Sequence, residues 1–227
     1  MRKLLKAIVP SAARHKVRAL CSEQNRADRV HEWNRIPHPD LEERNVANAR
    51  LVATRARMIA LLPRGGVAAE IGVSRGKFTA AIMAANPPRK LHLVDVWASD
   101  RYNQTLRQGV EQTYAAEIAA GSVEINLGYS IEVGRSFPDA YFDWIYLDTD
   151  HSYPTTRDEL AVYESKMKPG GIIAGHDYVM GNWRSSLKFG VIEAVTEFCI
   201  ARNWELLYVT TEQTTNASFA IRKIGGA

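Results

Sequence analysis

Apolar residues along this chain follow two alternating rhythms. Short apolar runs at Val67 to Ile71, Leu91 to Val96, Val123 to Leu127, Trp144 to Leu147 and Ile172 to Gly175 are separated by stretches in which apolar side chains recur every three or four positions. Runs bounded by glycine or proline read as strands, and recurrence at i, i+3 and i+7 reads as the buried stripe of a helix. Helices are predicted over residues 45–62, 77–85, 103–120, 155–167 and 191–202. Leu160, Tyr163 and Met167 share one face of the fourth, and Ile192, Val195 and Cys199 one face of the last. Pro63 with Gly65 and Gly66 closes the first helix, and Lys168-Pro169-Gly170-Gly171 closes the fourth. Strands alternating with helices indicate an α/β fold, a doubly wound and mostly parallel sheet. Trp204 to Thr210 and Ser218 to Arg222 are too close in sequence for a crossover helix, so they predict an antiparallel C-terminal hairpin at the sheet edge.

Ahead of this pattern the chain is charged and irregular, with a stiff break at Pro37-His38-Pro39. It reads as a basic N-terminal arm or lid over residues 1–45, followed by a domain over 46–227. The length of 227 residues allows such a domain a sizeable core. The net charge of +4 is local to the arm: Arg2, Lys3, Lys6, Arg14, Lys16, Arg18, Arg26 and Arg29 face only Glu23 and Asp28. Such a run could meet nucleic acid or an anionic membrane surface. No aromatic residue interleaves the first thirty positions as base stacking would want, which favours a solvated arm or one contacting a second copy of the chain. A homodimer without nucleic acid is therefore expected.

Leu4, Leu5, Ile8 and Val9 only faintly resemble an export signal, interrupted as they are by Lys6 and Pro10. No apolar run approaches the roughly 20 residues of a membrane span, so no stable membrane insertion is expected. Cys21 and Cys199 are too few for a disulfide framework, and a reducing cytoplasm follows as the expected compartment. Cys199 belongs to a helix stripe and reads as core.

Candidate chemistry collects at the carboxyl ends of the strands, where open α/β sheets bind ligands. Asp148, Asp150 and His151 follow one strand and His176 and Asp177 another, a spacing that suits a divalent metal beside a general base. Glu70-Ile71-Gly72-Val73-Ser74-Arg75-Gly76 forms the turn after the first strand of the alternation. A dinucleotide turn would read GxGxxG and cradle a pyrophosphate. Here an acid ends the strand and Ser74 replaces the middle glycine, which suits a ligand with a positive end. Asp95 ends the next strand, where a carboxylate can take two ribose hydroxyls. Asn86-Pro87-Pro88 imitates an amino-methylating signature but precedes a strand and is followed by Arg89, so it reads as a loop.

The Glu70 turn with Asp95 resembles the cofactor site of class I S-adenosylmethionine-dependent methyltransferases. That likeness implies a Rossmann-like, seven-stranded sheet. It implies that Glu70, Gly72, Ser74 and Gly76 line the methionine end of S-adenosylmethionine, and that Asp95 holds its ribose. Val96, Trp97, Tyr129 and Ser130 would flank the adenine.

The second cluster resembles the metal-dependent O-methyltransferases that modify sugar hydroxyls. The resemblance implies Asp148, His176 and Asp177 as ligands of Mg²⁺, with Mn²⁺ the alternative, and His151 as general base, or Asp150 in its place. His176 stands where those enzymes carry a carboxylate. Imidazole suits Mn²⁺, Fe²⁺ or Zn²⁺ better than Mg²⁺, and His176 could equally serve as a hydrogen-bonding neighbour of the ligands. Asp148 could instead place the cofactor's methionine, and Asp150 could cap the next helix. The implied substrate is a saccharide or glycosylated small molecule, with catechol-type phenols and RNA as alternatives. Tyr153, Tyr178, Trp33, Tyr102 and Trp183 are candidates for shaping the acceptor pocket.

Overall fold

The computed structural model describes residues 26–28, 30, 31, 33–182 and 187–225. Most of the basic arm, Cys21 and Trp183 lie outside the described residues. Two compact units divide the chain, one ending at Pro37 and one starting at His38. In the first, residues 26–28, 30, 31 and 33 are helical. Among the described residues, no helix is long and apolar enough to cross a membrane.

The second unit runs α1 (Glu43–Val46), β1 (Arg50–Val52), α2 (Arg55–Ile59), β2 (Val67–Ile71), α3 (Lys77–Ala85), β3 (Lys90–Asp95), α4 (Gln104–Thr113), α5 (Ala115–Ala119) and β4 (Val123–Leu127). It continues with α6 (Ser130–Ser136), β5 (Phe142–Leu147), α7 (Tyr153–Glu164), β6 (Met167–Gly175), β7 (Gly181–Asn182), β8 (Leu187–Lys188), α8 (Val191–Arg202), β9 (Trp204–Thr210) and β10 (Phe219–Lys223). The main sheet has eight strands in the order β1-β9-β10-β6-β5-β2-β3-β4. Only β10 runs against its neighbours, β6 and β9; the other pairs are parallel. The described strands β7 and β8 form a separate antiparallel pair.

Both faces of the sheet are covered, which is why its central strands are near-continuous apolar runs. Side chains alternate between the two layers. Ala69, Ile71, Ile145 and Leu147 pack with Leu160 and Tyr163 of α7 and Val195 of α8, whereas Ala68, Trp144 and Tyr146 pack with Met58, Phe78 and Ile82. Strand order reverses between β2 and β5, so a crevice opens beyond their carboxyl ends.

Three sequence expectations change. The 45–62 helix is replaced by α1, β1 and α2, because Arg50 to Val52 pairs with Tyr208 to Thr210 and Thr54 caps a new helix by accepting from the Arg57 amide. This adds an eighth strand to the expected seven, and it makes β1, not the closing hairpin, the edge. Helix 155–167 stops at Glu164, and Lys168 to Gly171 belongs to β6, where the pairing with β5 slips register. The helical region 103–120 breaks at Tyr114, whose φ of −108° leaves the helical range. The short helix α6 carries too little apolar periodicity to have been anticipated.

Candidate active site

Gly72 makes the first turn of the crevice. Its φ is +94°, and a Cβ there would lie 1.9 Å from the Asp148 carbonyl oxygen, so only glycine lets the ends of β2 and β5 come this close. The turn then wraps around Asp95. One carboxylate oxygen accepts from the amides of Val73 (2.9 Å) and Ser74 (2.8 Å), and the other from the amide of Trp97 (2.9 Å). Ser74 takes a φ of +54° in this loop, and the Trp97 indole N–H donates to its carbonyl at 2.8 Å. Glu70 is buried beneath the turn and accepts from the Thr79 hydroxyl at 2.5 Å. Burial holds its carboxyl up at about 8, so it is largely protonated at neutral pH.

A cavity of about 1010 Å³ opens over these groups. Glu70, Gly72, Ser74, Asp95 and Val96 border one part of it, and Tyr129 and Ser130 another. Asp148, Asp150, His151 and His176 border the same cavity, so the two halves of the predicted site meet. Gly76 and Trp97 lie behind the wall. Gly76 starts α3, and Trp97, 1% exposed, props Ser74 from behind.

At the far end, His151 Nδ1 lies 3.0 Å from Asp177 Oδ2. His176 Nδ1 lies 3.3 Å from Asp177 Oδ1 and 3.7 Å from Asp148, while its Nε2 pairs with the Thr215 hydroxyl at 3.0 Å. Asn216 donates to Asp177 at 2.5 Å. His151 and Asp177 both sit in the left-handed region, with φ of +63° and +56°. Strain of this kind, of order 1–3 kcal/mol per residue, persists where surrounding contacts impose it. Here the Gly190 amide holds the His151 carbonyl (2.9 Å) and Phe189 lies against its ring.

Burial disfavours the charged forms of all three titrating groups, but their mutual pairing outweighs it. Asp177 is held well below the usual carboxylate range by hydrogen bonds from His151 and His176. His176 is lifted to about 9 by Asp148 and Asp177, and His151 is raised chiefly by Asp177.

Residues 69–178 match a sequence family described as a methyltransferase domain. They run from within β2 to Tyr178 and include Glu70, Gly72, Asp95, Asp148, His151, His176 and Asp177, while Phe189, Gly190, Thr215 and Asn216 lie beyond them. Over these residues, just under half of its length, the chain is similar to a methyltransferase domain. Its fold is similar to that of the pyocyanin biosynthetic protein PhzM (TM-score 0.56, 12% identity, 74% of this chain and 53% of that one). It is also similar to an O-methyltransferase family protein from Burkholderia thailandensis (0.54, 14%, 76% and 56%) and to a SAM-dependent methyltransferase from Aquifex aeolicus (0.55, 12%, 75% and 88%). Alignment with the first two thus spans only about half of their lengths. No curated protein matches in sequence.

In this crevice the residues placed to share a metal include His151 beside Asp148 and Asp177. Ligand atoms of Asp148, His151 and Asp177 lie within 4.8 Å of one another, a set of two carboxylates and one imidazole that fits a divalent cation. His176 is not in that set: both of its ring nitrogens are engaged, and it bridges the two carboxylates as a cation. Asp150, the alternative base, is tied up as a cap, accepting from the Ser152 amide (2.9 Å) and the Thr155 hydroxyl (2.8 Å).

Arg55, Thr215, Asn216 and Phe189 were not foreseen in the site. Each arrives from an element distant in sequence, without a motif of its own. Glu159, in the helix that follows His151, was also not foreseen; it is buried under the wall, receives the Thr149 hydroxyl at 3.1 Å and is held by burial at about 7.

Proposed function

We propose that the enzyme is an O-methyltransferase that moves the methyl group of S-adenosylmethionine to a hydroxyl of a saccharide or glycosylated small molecule. The observation that carries this reading is His151, on the cavity wall, paired with the buried Asp177 behind it. An aliphatic hydroxyl attacks a sulfonium methyl poorly until its proton is taken, so a positioned base is needed. Asp177 at Nδ1 orients the imidazole and stabilises the charge it gains, leaving Nε2 to receive the hydroxyl proton. As the O–CH₃ bond forms, the S–CH₃ bond breaks with its electron pair passing to sulfur, which releases S-adenosylhomocysteine.

Asp148 and Asp177, with His151 beside them, would hold Mg²⁺ or Mn²⁺. Such an ion would supply Lewis-acid charge next to the acceptor oxygen. Glu70 and Asp95 would serve the methionine and ribose of the cofactor. We further propose a cytoplasmic homodimer with no nucleic-acid partner.

The test is release of S-adenosylhomocysteine against a panel of mannosides, glucosides, catechols and RNA. Turnover on glycosides supports the proposal. Turnover on catechols or RNA alone would replace its substrate class.

A further inference from the structure

The methionine end of S-adenosylmethionine carries an ammonium and a carboxylate, and the two need opposite partners. For the ammonium, the carboxylate of Asp148 is at hand, and the buried, largely protonated Glu70 can accept a hydrogen bond. Donors for the carboxylate are scarcer, because five amides of the turn and the adjoining strand end are already used. The Gly72 amide donates to the Val94 carbonyl (2.8 Å), those of Val73 and Ser74 to Asp95, that of Gly76 to the Val73 carbonyl (3.0 Å), and that of Asp148 to the Ile71 carbonyl (2.8 Å). A carboxylate entering here would displace an existing bond at each of them.

Arg55 offers what the turn does not. It borders the cavity, and its side chain is 26% exposed. The guanidinium stacks on Phe78, 4.4 Å from the ring centroid, and meets Asp148 only loosely, through one nitrogen at 3.8 Å. A guanidinium has five N–H donors in a fixed fork, so the long contact to Asp148 and a hydrogen bond with the Tyr146 hydroxyl still leave donors for a ligand. Its backbone is anchored as well: Thr54 caps the helix that begins with Arg55, and Glu212 accepts from the Arg55 amide at 3.0 Å. Arg75, Lys77 and Arg135 also border the cavity, but they are exposed.

We infer that Arg55 binds the carboxylate of the cofactor's methionine moiety, in place of the glycine-turn amides, and thereby selects cofactors that keep the amino-acid end. The pairing would be a charge-assisted fork of N–H donors on two carboxylate oxygens. The inference rests on S-adenosylmethionine being the methyl donor and is independent of the acceptor.

Calorimetry of the full chain with S-adenosylhomocysteine and with its decarboxylated analogue, which keeps the ammonium, isolates the contact. In the wild type, loss of the carboxylate should weaken binding by about tenfold or more, and in Arg55→Met by less than about twofold, because the partner is gone. Arg55→Lys should give an intermediate ratio and stands in if the Met variant does not fold. Lys77→Ala should keep the wild-type ratio. An undiminished ratio in the Arg55 variants, or its collapse in Lys77→Ala, would overturn the assignment. A wild type that ignores the carboxylate would overturn it too, with the cofactor reading intact. A wild type that binds neither compound would contradict the cofactor reading itself, and the assignment with it.

Discussion

The Nδ1 atom of His151 and the Oδ2 atom of Asp177 are 3.0 Å apart, although the two residues follow different strands, β5 and β6. Adjacent parallel strands bring their carboxyl ends together, and the left-handed backbone at both residues turns the side chains toward each other. Asp177→Asn would remove the charge that steadies a protonated His151 while nearly preserving shape. The rate of methyl transfer should fall by about 10²-fold or more. Affinity for S-adenosylhomocysteine, measured by calorimetry, should stay within about twofold. A parallel loss of affinity would make the pair a structural support of the cofactor site.

The same pairing sets a pH dependence of stability. His176 is raised from 6.5 to about 9 in the folded state, so its contribution is complete below the unfolded value near 6.5 and is lost as pH rises through about 9. Glu70, raised from 4.5 to about 8, acts in the same direction between those values. Chemical denaturation should therefore show falling stability from pH 6 to pH 9. His176→Gln should flatten the upper part of that decline. A flat wild-type profile would contradict the ion pairing described for His176.

Gly72→Ala places a Cβ against the Asp148 carbonyl at a backbone conformation that L residues disfavour. The substitution should cost at least about 1–3 kcal/mol and push the ends of β2 and β5 apart. Thermal unfolding should shift down, and binding of S-adenosylhomocysteine should weaken together with it. Unchanged affinity would mean that the turn does not shape the cofactor site.

Metal assistance makes its own prediction. EDTA should stop turnover and added Mg²⁺ or Mn²⁺ should restore it, while Asp148→Asn should weaken the restoration. Full activity in the chelator would leave His151 and Asp177 to act without an ion, with His176 as the resident positive charge between the carboxylates.

Much of the fold was legible because buried parallel strands are continuous apolar runs. β2, β4 and β9 fall where those runs predict, and so do α3 and α8. β1 was not legible: three residues at a sheet edge, with Leu51 78% exposed, carry no burial pattern, and Arg50 to Val52 fits a helical reading equally well. The start of β6 was hidden because proline and glycines, which usually stop helices, here lie within a strand whose register slips. In the site, Asp148, His151 and Asp177 could be found because strand ends collect ligands. Their division of labour could not. Whether His151 or His176 joins the two carboxylates depends on Thr215, a long-range contact that spacing does not encode. Asp95 was likewise recognisable as a strand-end acid, but not its grip on the amides of Val73 and Ser74.

The central claim is that His151 takes the acceptor's proton. His151→Ala separates it from its rivals in a single comparison of methyl-transfer rate with S-adenosylhomocysteine affinity. The account predicts a rate reduced by roughly 10²–10⁴-fold, with affinity within about twofold of the wild type. A variant that transfers methyl groups at the wild-type rate, or one that loses cofactor binding in step with activity, would contradict it.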